Sequence, residues 1–165
     1  MPVQRLNHAV LRVSDVNRSV AFYTEALGFR VKTEMPGRAA FLQAEDSTND
    51  HDLGLFAAGV TGGHAGGGIG LYHLAWEVDT LAELQRIAGV LTEHGALVGA
   101  SDHRTTKALY AKDPDGIEFE VCWLVPAEHL PVDDGPMSGP LDLAAEIERY
   151  GADTKGGIGV SVPSA

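Results

Sequence analysis

A chain of 165 residues, 44% of them hydrophobic, can build one domain with a real core, and that domain could be assembled from two smaller repeats. Twelve basic residues against 23 acidic ones give a formal charge of -11, which argues against nucleic acid or an anionic membrane surface as the natural partner. The only cysteine, Cys122, cannot form an intramolecular disulfide, and no stretch approaches the roughly 20 apolar residues of a membrane helix, so the expectation is a soluble, cytoplasmic protein.

From the N-terminus, Leu6 to Val13 is a short apolar, β-branched run that reads as a strand and ends at Ser14-Asp15, a helix N-cap. Val16, Val20, Tyr23 and Leu27 form a helical stripe, and Gly28 supplies its left-handed stop. Three strand-like pieces follow, at 29–35, 38–45 and 51–58. The glycine-rich segment 59–70 reads as a flexible joint; as a phosphate loop it is the weaker reading, because it lacks the Lys-Ser/Thr ending and precedes a strand.

The order then repeats. Leu71 to Val78 reads as a strand, Thr80 and Glu83 form a capping box, and Leu81, Leu84, Ile87 and Leu91 form the second stripe, closed by Gly95. Strand-like pieces return at 97–102, 106–112 and 117–124, so each half reads βαβββ and the whole as α+β. The expected plan is a core domain over 1–125, with repeats at 4–58 and 70–124, and a C-terminal extension over 126–165. In that extension four prolines break regular structure, while Leu141, Ala144, Ala145 and Ile147 after Gly139-Pro140 predict one short helix covering the domain edge or a neighbouring subunit. Residues 151–165 are small and Gly-rich and read as mobile.

Strand alternation puts Leu6, His8 and Val10 on one face, and Leu71, His73 and Ala75 repeat the pattern, so the two histidines hold matching places. In the last strand Ile117, Phe119, Val121 and Trp123 share a face and Glu120 lies on the other. A carboxylate in the middle of an apolar strand is costly unless it is paired or binds a metal. Two imidazoles and one carboxylate make a facial triad with three open positions, the arrangement that non-haem Fe(II) uses. A single buried histidine is more often a hydrogen-bonded core residue than a ligand; the matched repeat positions and the acid on the final strand together favour a metal centre of His8, His73 and Glu120. His64, His94 and His129 read as surface residues, Met35 and Met137 as ordinary, and Trp76 and Trp123 as core. Nothing marks Cys122 as a nucleophile.

The βαβββ repeat carrying His8, His73 and Glu120 resembles the vicinal oxygen chelate superfamily over about residues 4–124. Within it, the run from His103 through Leu109-Tyr110 and the Asp113-Pro114-Asp115-Gly116 turn to Glu120 is similar to the signature of type I extradiol ring-cleavage dioxygenases, with Ser101 a mild departure. The resemblance implies two repeats forming a half-open barrel around a metal site, with Fe(II) as cofactor and Mn(II) as an ion that accepts the same ligands. It also implies a small aromatic diol and dioxygen as partners, and a homo-oligomer. Tyr110 is then expected to hydrogen-bond the substrate oxygen, His103 to help hold the same region, and His51 to act as acid and base near neutral pH.

Glyoxalase I resembles the same fold but normally supplies another metal-binding glutamate from the first repeat, where this sequence offers Leu53, Gly54 and Leu55. Two alternatives to a dioxygenase stay open. One is a metal-dependent isomerase, epimerase or lyase; the other is a metal-free member of the superfamily that sequesters drugs in its cavity.

Overall fold

The computed structural model describes residues 6–59, 71–131, 135, 136 and 138–156. His64 and most of the glycine-rich joint, Met137 and residues 157–165 lie outside the described residues. The chain divides into two compact units, Met1–Ala65 with Asp113–Ile117, and Gly66–Lys112 with Glu118–Ala165, so the C-terminal extension falls in the second unit.

The first unit runs β1 (Ala9–Val13), α1 (Val16–Leu27), β2 (Arg30–Met35), β3 (Ala39–Gln43) and β4 (Leu53–Ala57). Its sheet has the order β1-β4-β3-β2, with β1 parallel to β4 and the other pairs antiparallel. Asp15 opens α1 by accepting the Arg18 N–H at 3.1 Å, and Gly28, at φ 71, ends it. The buried stripe Val16, Phe22, Tyr23 and Ala26 meets Leu11 and Val13 of β1 and Leu53 and Leu55 of β4 in the core of the unit. The turn Asp113–Ile117 is fastened in the same unit: buried Asp113 accepts the Tyr23 hydroxyl at 3.1 Å and the N–H groups of Asp115 and Ile117 at 2.9 Å. Asp115 in turn accepts the Ser14 N–H at 2.8 Å and pairs with Arg18 at 2.9 Å. The Asp-Pro-Asp-Gly motif is thus built to be held at both carboxylates.

The second unit repeats the order: β5 (Leu74–Glu77), α2 (Leu81–Glu93), β6 (Leu97–Asp102), β7 (Thr106–Lys112) and β8 (Glu118–Leu124). Thr80 caps α2 by accepting the Glu83 N–H at 3.2 Å, and Gly95 follows at φ 63. Leu81, Leu84, Ile87 and Leu91 are buried with Leu109 of β7 and Phe119, Val121 and Trp123 of β8. Both leading strands are shorter than the sequence predicts, beginning at Ala9 and Leu74 rather than at 6 and 71. The parallel ladders begin there: β1 pairs from Ala9 opposite Leu53 and β5 from Leu74 opposite Phe119.

The extension differs most from expectation. Gly139–Pro140 forms β9, a fifth strand on the edge of β6, before α3 (Leu143–Tyr150) packs on α2. Proline is tolerated there because an edge strand leaves one row of N–H groups unused. Residues 151–156 are tied down rather than loose: Trp123 Nε1 donates to the Thr154 carbonyl at 3.1 Å and the Gly156 N–H to that of Asp79 at 2.6 Å. A Cβ on Gly156 would stand 3.0 Å from the Leu124 carbonyl and the Trp123 indole, so this position is tight. Among the described residues no helix is long and apolar enough to cross a membrane.

Candidate active site

Each helix covers one face of its own sheet, and the candidate site residues lie on the other face. In the second unit β7 and β8 pair Tyr110 with Glu120, and β5 pairs Ala75 with Glu120 two residues after His73. His73 Nε2 stands 3.2 Å from Glu120 Oε2, with both side chains largely withdrawn from solvent. The Tyr110 hydroxyl is within hydrogen-bonding reach of Glu120 and lies 2.8 Å from His103 Nε2, and its ring sits edge-on to His73 at 5.9 Å. Burial first, then the negative charge and hydrogen bond of Glu120, pushes the Tyr110 phenol above its ordinary range, so it stays a protonated donor.

The His73–Glu120 pair fits one half of a divalent metal site. Two ligands set at right angles around an ion at about 2.1 Å stand roughly 3.0 Å apart, close to the observed separation. His73 Nδ1 is buried with no hydrogen-bond partner among the described residues, so the contact with Glu120 leaves the ring only half satisfied. An imidazole nitrogen with a carboxylate oxygen suits a first-row divalent ion. Among the described residues no group of three or more His, Cys, Asp or Glu side chains is gathered to hold a metal, and the second unit supplies these two.

In the first unit His8 sits one residue before β1, as His73 sits one residue before β5. His8 Nδ1 lies 2.8 Å from the Asn7 side-chain oxygen, which can only accept. Nδ1 is therefore the donor in this contact, which in a neutral ring leaves Nε2 as the nitrogen able to bind a metal. His51 precedes β4 by two residues instead of opening it, and its Nδ1 lies 3.0 Å from the exposed Asp50 carboxylate. Its ring packs 4.6 Å from His8 and 4.9 Å from Phe41.

Register identifies the counterparts between the repeats. Where Ala75 faces Glu120, Val10 faces Gly54; where Tyr110 faces Glu120, Phe41 faces Gly54. Gly54 is thus the first repeat's equivalent of Glu120, and its flanking residues Leu53 and Leu55 are wholly buried. At that register position the first repeat carries no carboxylate.

Other predicted residues fall into place. Trp123 is core and Trp76 half-buried, while His94 and His129 are exposed. Cys122 is buried beside Glu120, and burial together with the charges of Glu120 and Glu77 pushes its thiol up to about 12, which leaves it a poor nucleophile. The sequence reading passed over Lys107, wholly buried and paired with Asp102 at 2.6 Å and Glu146 at 2.9 Å. Its signal was available: alternation puts Lys107 on the inward face with Leu109 and Ala111.

Residues 5–121 match the family described as the Glyoxalase/Bleomycin resistance protein/Dioxygenase superfamily. The chain is 32% identical to the catechol-2,3-dioxygenase of Bacillus subtilis (strain 168) over 124 residues, 70% of this chain and 40% of that protein. It is 33% identical to the lactoylglutathione lyase of Salmonella typhimurium over 128 residues, 71% of this chain and 90% of that protein. Among solved structures, the glyoxylase/bleomycin resistance protein/dioxygenase domain from Frankia sp. EAN1pec shares the fold with a TM-score of 0.61 at 22% identity, over 73% of this chain and 92% of that one. The chain thus spans well under half of the Bacillus protein and nearly all of the Salmonella one.

Proposed function

This chain belongs to the Glyoxalase/Bleomycin resistance protein/Dioxygenase superfamily, and within it we propose an Fe(II)-dependent extradiol dioxygenase that opens a catechol-type ring. The observation that carries the reading is the Tyr110 hydroxyl, 2.8 Å from His103 and in reach of Glu120 on the face that also holds His73. His73 and Glu120 would hold the ion, and His8, at the matching position of the first repeat, would be the third ligand. When bound, such an ion supplies Lewis acidity and one-electron chemistry toward a chelated diol and dioxygen.

The chain's own residues would do the rest. Tyr110, kept protonated, donates to a substrate oxygen, and His103 fixes the direction of that hydroxyl. His51, with Nδ1–H turned to Asp50, presents Nε2 as the base that takes a diol proton and later returns one.

A metal-dependent lyase or isomerase is the second reading, favoured by the near-complete span of the Salmonella lyase. Gly54 opposes it, and so does the His103–Tyr110 pair, which a simple isomerisation does not need. The test is oxygen uptake by anaerobically iron-loaded protein with a small panel of catechols. One dioxygen consumed per catechol, with a yellow ring-opened product, supports the proposal. Turnover that proceeds without air, with Mn, Ni or Zn in place of iron, supports the lyase or isomerase. Protein that neither retains nor rebinds a divalent metal would sink both.

A further inference from the structure

We infer that the C-terminal helix α3 is a brace for the His103–Tyr110 pair, acting through the buried ammonium of Lys107; the roles of His103 and Tyr110 rest on the dioxygenase reading, the brace itself on geometry alone. Lys107 lies on β7 with its side chain turned away from the Tyr110 face, and it is 1% exposed. Lysine is almost never buried to that degree without partners. Here Nζ stands 2.6 Å from Asp102 Oδ1 at the end of β6 and 2.9 Å from Glu146 Oε2 on α3, with the Tyr150 ring of α3 at 5.7 Å.

Asp102 carries the connection onward. The same Oδ1 accepts the Arg104 N–H at 2.7 Å, closing a turn over His103. Arg104 is the one non-glycine among the described residues at positive φ, 69°, a conformation that needs such support. The backbone of His103 is fixed on both sides, its N–H donating to the Thr106 carbonyl at 2.9 Å and its carbonyl accepting the Thr105 N–H at 2.8 Å. β9 adds a second hold on the same segment, pairing Asp102 with Gly139 and Ser101 with Pro140. A continuous line of contacts therefore runs from Glu146 through Lys107 and Asp102 to the turn that aims His103 at Tyr110. α3 lies beyond residue 121, where the family match ends.

Glu146, Lys107 and Asp102 are positioning residues, and the test must separate aim from mere stability. Full-length Glu146→Ala and Glu146→Gln are compared with wild type, and Lys155→Ala, on an exposed surface pair of the same tail, is the control. Two readouts are taken beside Tm. One is the ring signal of His103 in protein labelled with 13C at histidine Cε1, assigned by its loss in His103→Gln. The other is kcat and KM for catechol with iron-loaded protein. Glu146→Ala is expected to displace the His103 signal and lower kcat about tenfold with KM held within about twofold. Glu146→Gln, which keeps an acceptor for Lys107, restores both, and Lys155→Ala changes neither. A lowered Tm with the His103 signal and kcat unmoved overturns the brace. If wild type itself opens no catechol, the ring signal still decides the brace while the dioxygenase reading falls alone. Should Glu146→Ala not fold, Glu146→Asp takes its place: a displaced signal supports the brace and an unmoved one removes it.

Discussion

Set register against register, β3 and β4 join Phe41 to Gly54 where β7 and β8 join Tyr110 to Glu120. The first repeat keeps a ring without a hydroxyl and a backbone without a carboxylate; the second has both polar atoms, and its histidine stands 3.2 Å from the carboxylate. The hairpins differ as well. Three residues separate the paired Met35 and Ala39, while six separate their counterparts Ser101 and Ala108, and the added length carries His103 and the Asp102–Lys107 pair. One scaffold thus gives a sheet face that keeps His8 and His51 beside Phe41, and a second face on which Tyr110, His73 and Glu120 converge. Division of labour between two copies of one fold lies here in a few side chains and a longer turn, while the core stripes stay alike.

The largest effect should come from erasing that difference. Glu120→Gly gives the second repeat the first one's residue, and oxygen uptake with catechol should fall more than about a hundredfold, with loss of retained metal by elemental analysis. His51→Ala should lower kcat about a hundredfold while metal content stays at the wild-type level. Turnover undiminished across neutral pH in that variant would falsify the acid–base role. Tyr110→Phe, which copies Phe41, should cost about tenfold in kcat, the worth of one hydrogen bond made in the reaction, with little change in Tm.

Stability predictions test the part of the second unit that has no counterpart in the first. Gly156→Ala should destabilise by about 1–3 kcal/mol in urea melts, because the added methyl meets a backbone carbonyl and a packed indole that cannot both move aside. The smallest effect concerns acid. Burial alone would raise the Asp102 carboxyl, but the Lys107 hydrogen bond and the Arg104 N–H outweigh it and hold the group below its usual 3.8. Between the folded and unfolded values the unfolded chain binds more protons, so this contribution is present above about pH 3.8 and fades as pH falls through the lower folded value. Asp102→Asn should therefore flatten the acid limb of a Tm–pH profile, and an unchanged limb would show that the carboxylate adds nothing there.

Much of this was legible along the chain because it is local. Cap residues, stripes and glycine stops placed α1 and α2 from their first residue, and alternation set Glu120 apart from Phe119 and Val121. What stayed hidden depends on partners distant in sequence. The buried ammonium of Lys107 needs Glu146, 39 positions further on, to stay dry. The strand β9 exists only because β6 offers an edge to a segment whose prolines read as a break. The equivalence of Gly54 with Glu120 follows from pairing register, which spacing along the sequence does not determine.

A two-residue strand also has a bearing on how the sheets meet other chains. The first sheet ends at β2, an exposed strand carrying Arg30, Lys32 and Glu34, whose charges disfavour a stray strand docking alongside. The second ends at β9, where Pro140 withholds an N–H from any newcomer. These two edges are thus guarded against intermolecular strand addition by different means, one by charge and the other by a missing donor.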